Sequence, residues 1–201
     1  MPLRTVQPLD ELKVQPCVLL CRHRNMRGPF YSIVRWGGEK TRTWVLHPFC
    51  AKQTFYDHMY HYTLTERLHY PDWFARFGAW FLAAVVPPLI NSLGGIPVYR
   101  HDGRIRETFR LSLEQLEQGR NILIFPDIDY TSNDTVGDVY DGFFMLERMY
   151  FRKTGRHLPF VPVHLDTKAK SLTFGTPITF SDGNFNAEKE IVKEKILSQW
   201  R

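Results

Sequence analysis

The chain has 201 residues, of which 43% are hydrophobic and 23% charged, a globular composition that excludes a disordered or collagen-like polymer. Its formal net charge of +5 and pI of about 9.2 favour anionic partners (phosphate esters, acidic carrier proteins, acidic lipid headgroups or nucleic acid) without choosing among them. The cysteines Cys17, Cys21 and Cys50 make no even disulfide set and no Cys-x-x-Cys pair, which points to a reducing, cytoplasmic setting.

The first residues lack an apolar run, so no signal peptide is expected. No repeat, low-complexity tract or long linker interrupts the chain, and a single domain over residues 1–201 is expected, with residues 1–16 as an N-terminal arm. Leu9, Leu12 and Val14 can pack, while Pro2, Pro8 and Pro16 discourage a long helix there. Cys17–Arg22 is a continuous apolar run that reads as a buried strand ending at His23. Thr43–Leu46 is a second short strand. Residues 49–93 read as helical in pieces, with Trp73, Phe74, Phe77, Trp80, Phe81 and Ala84 at helical spacing. Pro87-Pro88 is expected to end that helix, and Gly94-Gly95 to turn the chain into the next strand. The aromatic stripe is expected mainly in the core, with part of it exposed; its sharper reading is an interfacial helix, with Arg67 and Arg76 near anionic lipid. The apolar stretch from Phe77 to Leu93, broken by its prolines, falls short of the ~30 Å of hydrocarbon as one helix. A spanning chain is therefore not expected, whereas peripheral contact with the inner face of the membrane is.

From Gly95 onward strands and helices alternate. Ile96–Arg100 reads as a strand, Arg104–Gln118 as a helix stopped by Gly119, and Asn121–Phe125 as a strand. A polar loop over residues 127–138 leads to a helix near Tyr140–Lys153. Phe160–His164 and Ser171–Phe174 read as a hairpin, and Ala187–Trp200 as a closing helix. This order predicts an α/β fold with a mostly parallel sheet flanked by helices. Ligands of such sheets bind beyond the strand C-termini, where His23, Arg100 and Asp127 all fall.

An imidazole at a strand end is suited to general-base work once a second group fixes its tautomer; the plainer alternative is a histidine in a basic loop with Arg22, Arg24 and Arg27. Arg100 can fork two hydrogen bonds onto a phosphate or simply be a solvated strand-exit arginine. Asp127, after Phe125-Pro126, can orient a substrate hydroxyl or hold an arginine, or merely form a turn. His58 and His61 share helical spacing, but no closed Cys/His set or His-Glu-x-x-His accompanies them, so no metal site is expected. Phosphate-loop, dinucleotide and serine-hydrolase motifs are missing from the sequence.

These strand ends, in order, resemble the motifs of the glycerolipid (lysophosphatidic acid and glycerol-3-phosphate) acyltransferase family, from about Val18 to Pro177. Arg22-His23-Arg24-Asn25-Met26-Arg27-Gly28 resembles the His-x4-Asp motif, Ile96-Pro-Val-Tyr-Arg100 the apolar strand ending in Arg, Phe125-Pro-Asp-Ile128 the Phe-Pro-Glu-Gly motif and Phe160-Val-Pro-Val163 the Val-Pro-Val strand. The resemblance implies a fatty acyl transfer from a coenzyme A or acyl-carrier-protein thioester to a glycerol-phosphate or lysophospholipid hydroxyl, in phospholipid biosynthesis. It implies His23 as base, Arg100 and Asp127 as phosphate-binding residues, Arg22 and Asn25 in support, and neither metal nor other cofactor. The chain departs from the motif at Gly28, where the family has the Asp that orients the imidazole; a backbone carbonyl and Asp127 are the candidates for its part. A non-catalytic relative that binds lipid or phosphate is the alternative. A basic nucleic-acid-binding module is the further one, and the scattered basic residues favour it least.

Overall fold

The computed structural model describes residues 3–24, 27–38, 40–99, 103–128, 139–181 and 184–201. In chain order the elements are β1 (Thr5–Val6), β2 (Val18–Cys21), α1 (Arg27–Trp36), β3 (Thr41–Leu46), α2 (Lys52–Asp57), a wide π-type helix (His58–Arg67), α3 (Asp72–Ser92), β4 (Ile96–Val98), α4 (Ile105–Glu117), β5 (Asn121–Ile124), α5 (Met145–Thr154), β6 (Phe160–Asp166), β7 (Ser171–Phe174) and α6 (Phe185–Trp200). The fold is α/β with mostly parallel strand pairing. The chain divides into two compact units, one made of Met1–Arg42 with Phe109–Arg201, the other of Thr43–Thr108.

In the first unit the strands lie in the order β1-β7-β6-β2-β5. β2 is central, and its parallel partners β5 and β6 cover both edges. This explains the unbroken apolar run of Val18–Cys21, every residue of which is buried. Odd-numbered side chains (Cys17, Leu19, Cys21, Leu123, Val161, Val163) share a core with Leu12 and with Trp36 of α1. On even-numbered Phe160, the rings of Phe143, Phe144 and Phe180 gather instead. β6 and β7 form the expected antiparallel hairpin. The arm is not loose: β1 pairs parallel with β7, and Leu12 is buried.

The second unit holds the parallel pair β3–β4, with Trp44 beside Ile96 and Leu46 beside Val98. There α3 packs its Ala75 and Ala79 against Leu64 of the π-type helix, flanked by Tyr56, Met59 and Tyr60.

Two expectations fail in α3. The helix runs through Pro87 and Pro88 to Ser92. The φ that proline fixes is itself helical, and the residues one turn earlier are Ala83 and Ala84, whose small side chains crowd the rings least. It ends instead at Gly94, whose φ of +69° is the left-handed value glycine adopts without penalty. The aromatic stripe is also not core. Trp73, Phe77 and Trp80 are 72%, 61% and 57% exposed, and Phe74 and Phe81 are exposed as well. The helix buries Ala75, Ala79 and Ala83, small residues one turn apart that allow close approach to its neighbours.

Candidate histidine–aspartate site

β2 and β5 pair in parallel with Val18 opposite Ile122, Leu19 opposite Leu123 and Leu20 opposite Ile124. Carried three residues further, the same register sets His23 level with Asp127. Asn121 locks it: its side-chain oxygen accepts from the backbone N–H of Cys17 at 3.0 Å, and the N–H of Ile122 donates to the carbonyl of Cys17 at 3.0 Å. Both strands end together, and the polar residues that follow them meet at the C-terminal rim.

There the Asp127 carboxylate reaches three groups. Its Oδ2 accepts from the backbone N–H of His23 at 2.8 Å and lies 3.3 Å from His23 Nδ1. Its Oδ1 accepts from Arg22 Nε at 3.4 Å. The side chains are 9% exposed for Asp127 and 19% for His23, so the pair is sheltered while the ring keeps an opening to solvent. The Phe125 ring lies 5.2 Å from the imidazole, tilted by 50°. Behind Asp127, the carbonyl of Pro126 accepts from the N–H of Tyr140 at 2.8 Å, and Asp127 bridges to Val139. Burial, and after it the charge of this carboxylate, push the Cys21 thiol up to about 12. A carboxylate on Nδ1 favours the tautomer with its proton there and leaves Nε2 as the basic nitrogen.

Gly28 fits this geometry for a steric reason. Its N–H donates to the carbonyl of His23 at 2.9 Å, and a Cβ built there would stand 1.8 Å from the carbonyl oxygen of Arg22. The first turn of α1 is thus seated directly on the β2 exit, and no side chain fits between them. Ser32 Oγ, one helical turn on, donates to the Gly28 carbonyl at 2.6 Å. Arg24, in the same exit loop, adopts a left-handed φ of +43° and donates to the Leu165 carbonyl.

Of the residues singled out from sequence, His23, Asp127 and Arg22 come together. Arg100 and Asn25 lie outside the described residues. His58 contacts the rings of Phe49 and Tyr62, and His61 that of Tyr60. Among the described residues no group of three His, Cys, Asp or Glu side chains converges as a metal site would require.

A second histidine–acid pair escapes the sequence reading. Glu147 of α5 is buried, with Oε1 at 2.6 Å from His157 Nδ1 and Oε2 accepting from the N–H of Leu158 at 2.7 Å. It stands before the start of β6, at the rim opposite the C-terminal ends where ligands of such sheets bind. Its geometry is that of a clamp between helix and strand. The signal available in sequence was Glu147 on the same helical face as Phe143, Phe144 and Tyr150, a lone acid among apolar neighbours.

No family model, curated protein or solved structure matches the chain.

Proposed function

We propose that the chain is an acyltransferase of the glycerolipid type, with His23 as general base and Asp127 in place of the acid that position 28 lacks. The observation that carries this reading is the Asp127 carboxylate on His23 Nδ1 at the C-terminal rim of a parallel sheet. In the proposed step Nε2 takes the proton from a glycerol-phosphate hydroxyl. The oxygen attacks the carbonyl carbon of an acyl thioester on coenzyme A or acyl carrier protein, and a C–O bond forms. The tetrahedral adduct collapses, the C–S bond breaks, and the imidazolium returns its proton to the leaving thiolate. Asp127 steadies the imidazolium without taking the proton itself. Arg100, assigned to the phosphate by the resemblance alone, with Arg24 of the β2 exit loop and Arg27 at the start of α1, would draw an anionic substrate to this rim.

A second reading, a non-catalytic relative, draws support from how fully Asp127 is engaged: Arg22 and the N–H of His23 already hold it as a staple of the loop. Thiol release separates the two. Purified protein is given acyl-coenzyme A or acyl carrier protein with glycerol 3-phosphate or lysophosphatidic acid. Acceptor-dependent release that vanishes in His23→Ala supports the enzyme; no release with any pair of substrates, beside retained lipid or phosphate binding, supports the relative.

A further inference from the structure

The outward face of α3 is built the reverse of a soluble surface helix. From Phe77 to Ile90 it carries no charged residue, and its exposed positions are Phe77, Trp80, Phe81, Ala84, Val85, Pro88 and Leu89. Trp73 and Trp80, seven residues apart, stand two turns apart on that face. An apolar stripe of this extent marks a surface that is covered in use. At one flank, between α2 and α3, lies a groove of about 630 Å³ whose floor is Phe77, Trp80 and Tyr56 and whose rim carries Lys52 and Arg76.

We propose that this face inserts into one leaflet of an anionic lipid bilayer, with α3 lying in the membrane plane and Lys52 and Arg76 at the level of the lipid phosphates. By length and mean hydropathy alone α3 is able to cross a membrane. Its inner face argues against crossing. Ala75, Ala79, Ala83 and Pro87 are buried along the whole helix, and α3 packs on α2 and the π-type helix. Those partners bear Lys52, Asp57, Glu66 and Arg67, which a spanning α3 would drag into hydrocarbon. A flat helix keeps them in water and sinks only its aromatic face, to a depth of ~5–10 Å.

Charge selects lipid over a second copy of the chain. A two-fold contact through this face would bring like rims together; beside the groove, Asp72 is bound to Arg76 at 2.9 Å and to Tyr60 at 2.5 Å, so the surplus charge of the rim is that of Lys52. Lys52 makes no ion pair among the described residues. Anionic phosphates answer that rim, and indoles at headgroup depth answer Trp73 and Trp80.

The test reads binding, not turnover, so it stands apart from the acyltransferase reading. Intact protein is titrated with vesicles of phosphatidylcholine mixed with phosphatidylglycerol, with chain-brominated lipid as quencher. The other tryptophans, Trp36, Trp44 and Trp200, are buried, so quenching reports Trp73 and Trp80. Expected are a blue shift, quenching, and affinity that weakens about tenfold or more in Phe77→Ser and in Trp80→Ser. Lys52→Glu should weaken binding and reduce its salt dependence. Both Ser substitutions fall at exposed positions, and the quenching of the unaltered chain needs neither. Absence of vesicle binding overturns the proposal, as does binding without quenching. So does a dimer in solution that Phe77→Ser dissociates while vesicles are ignored.

Discussion

At position 28 a single atom decides whether α1 can sit on the β2 exit. With a Cβ 1.8 Å from the Arg22 carbonyl oxygen, any side chain there must push α1 away from the β2 exit. Gly28→Ala should therefore cost about 1–3 kcal/mol of stability, the ordinary penalty for overpacking, read as a lower urea midpoint at unchanged slope. Gly28→Asp should be less stable still and should gain no turnover, because Asp127 already occupies Nδ1. Asp127→Asn tests the other half. The amide carries no charge to steady the imidazolium, and where its NH₂ faces Nδ1 the tautomer reverses, so thiol release should fall by roughly 10³–10⁴ in kcat, with KM little changed. Nitrogen chemical shifts of His23 should show the proton moving from Nδ1 to Nε2, a change that a purely structural role would not produce. His23 and Asp127 were each legible as residues closing apolar runs. Their shared rim followed from the strand-end rule, but which of Asp127 and a backbone carbonyl faces Nδ1 did not, because that depends on the register of parallel strands 104 positions apart in the chain, and a parallel register leaves no mark in a local pattern.

Helical elements were legible by period and poorly by facing. The spacing of Trp73, Phe77, Trp80 and Phe81 does mark one face of a helix, but the period is the same whether that face meets protein or its surroundings. What distinguished the two was the complementary stripe of Ala75, Ala79 and Ala83, which allows closer packing than aromatics do. Helix α1 went unread because Gly28-Pro29 resembles a turn, although proline is at home in a first turn, where its missing N–H costs nothing. Helix α5 contains the clearest polar contribution to packing. Glu147 is buried and holds both His157 and the N–H of Leu158. Glu147→Ala leaves that buried N–H without its acceptor, a loss of roughly 1–3 kcal/mol. Because His157 stands before β6 and away from His23, the specific activity of the folded variant should match the unaltered chain, while its thermal midpoint falls. A matching collapse of thiol release per folded molecule would instead point to His157, between α5 and β6, as the proposed base.

At the scale of the whole molecule, pH reaches stability through both units. His164 in β6 is held below the ordinary histidine value by burial and then by the charge of Arg24, and its ring stands against Gly175. His58, in the other unit, is also lowered by burial, against Phe49 and Tyr62. In both cases the unfolded chain takes up the proton first. The stabilising contribution is complete above the unfolded value of about 6.5 and drains away as pH falls through it toward the folded one. Asp166 acts in a separate, more acid window. The N–H groups of Ala169 and Lys168 hold its carboxyl below the usual range, so its contribution is lost only once the unfolded carboxylates protonate, below about 4. Unfolding free energy from urea titrations should thus be level between about pH 7 and 8, slope downward below about 6.5, and steepen again near 4. His164→Gln should flatten the first slope and leave the second, because glutamine binds no proton in either state. An unaltered first slope would mean that His164 is solvated in solution, and that the β6–β7 hairpin lies more open at Gly175 than its packing here requires.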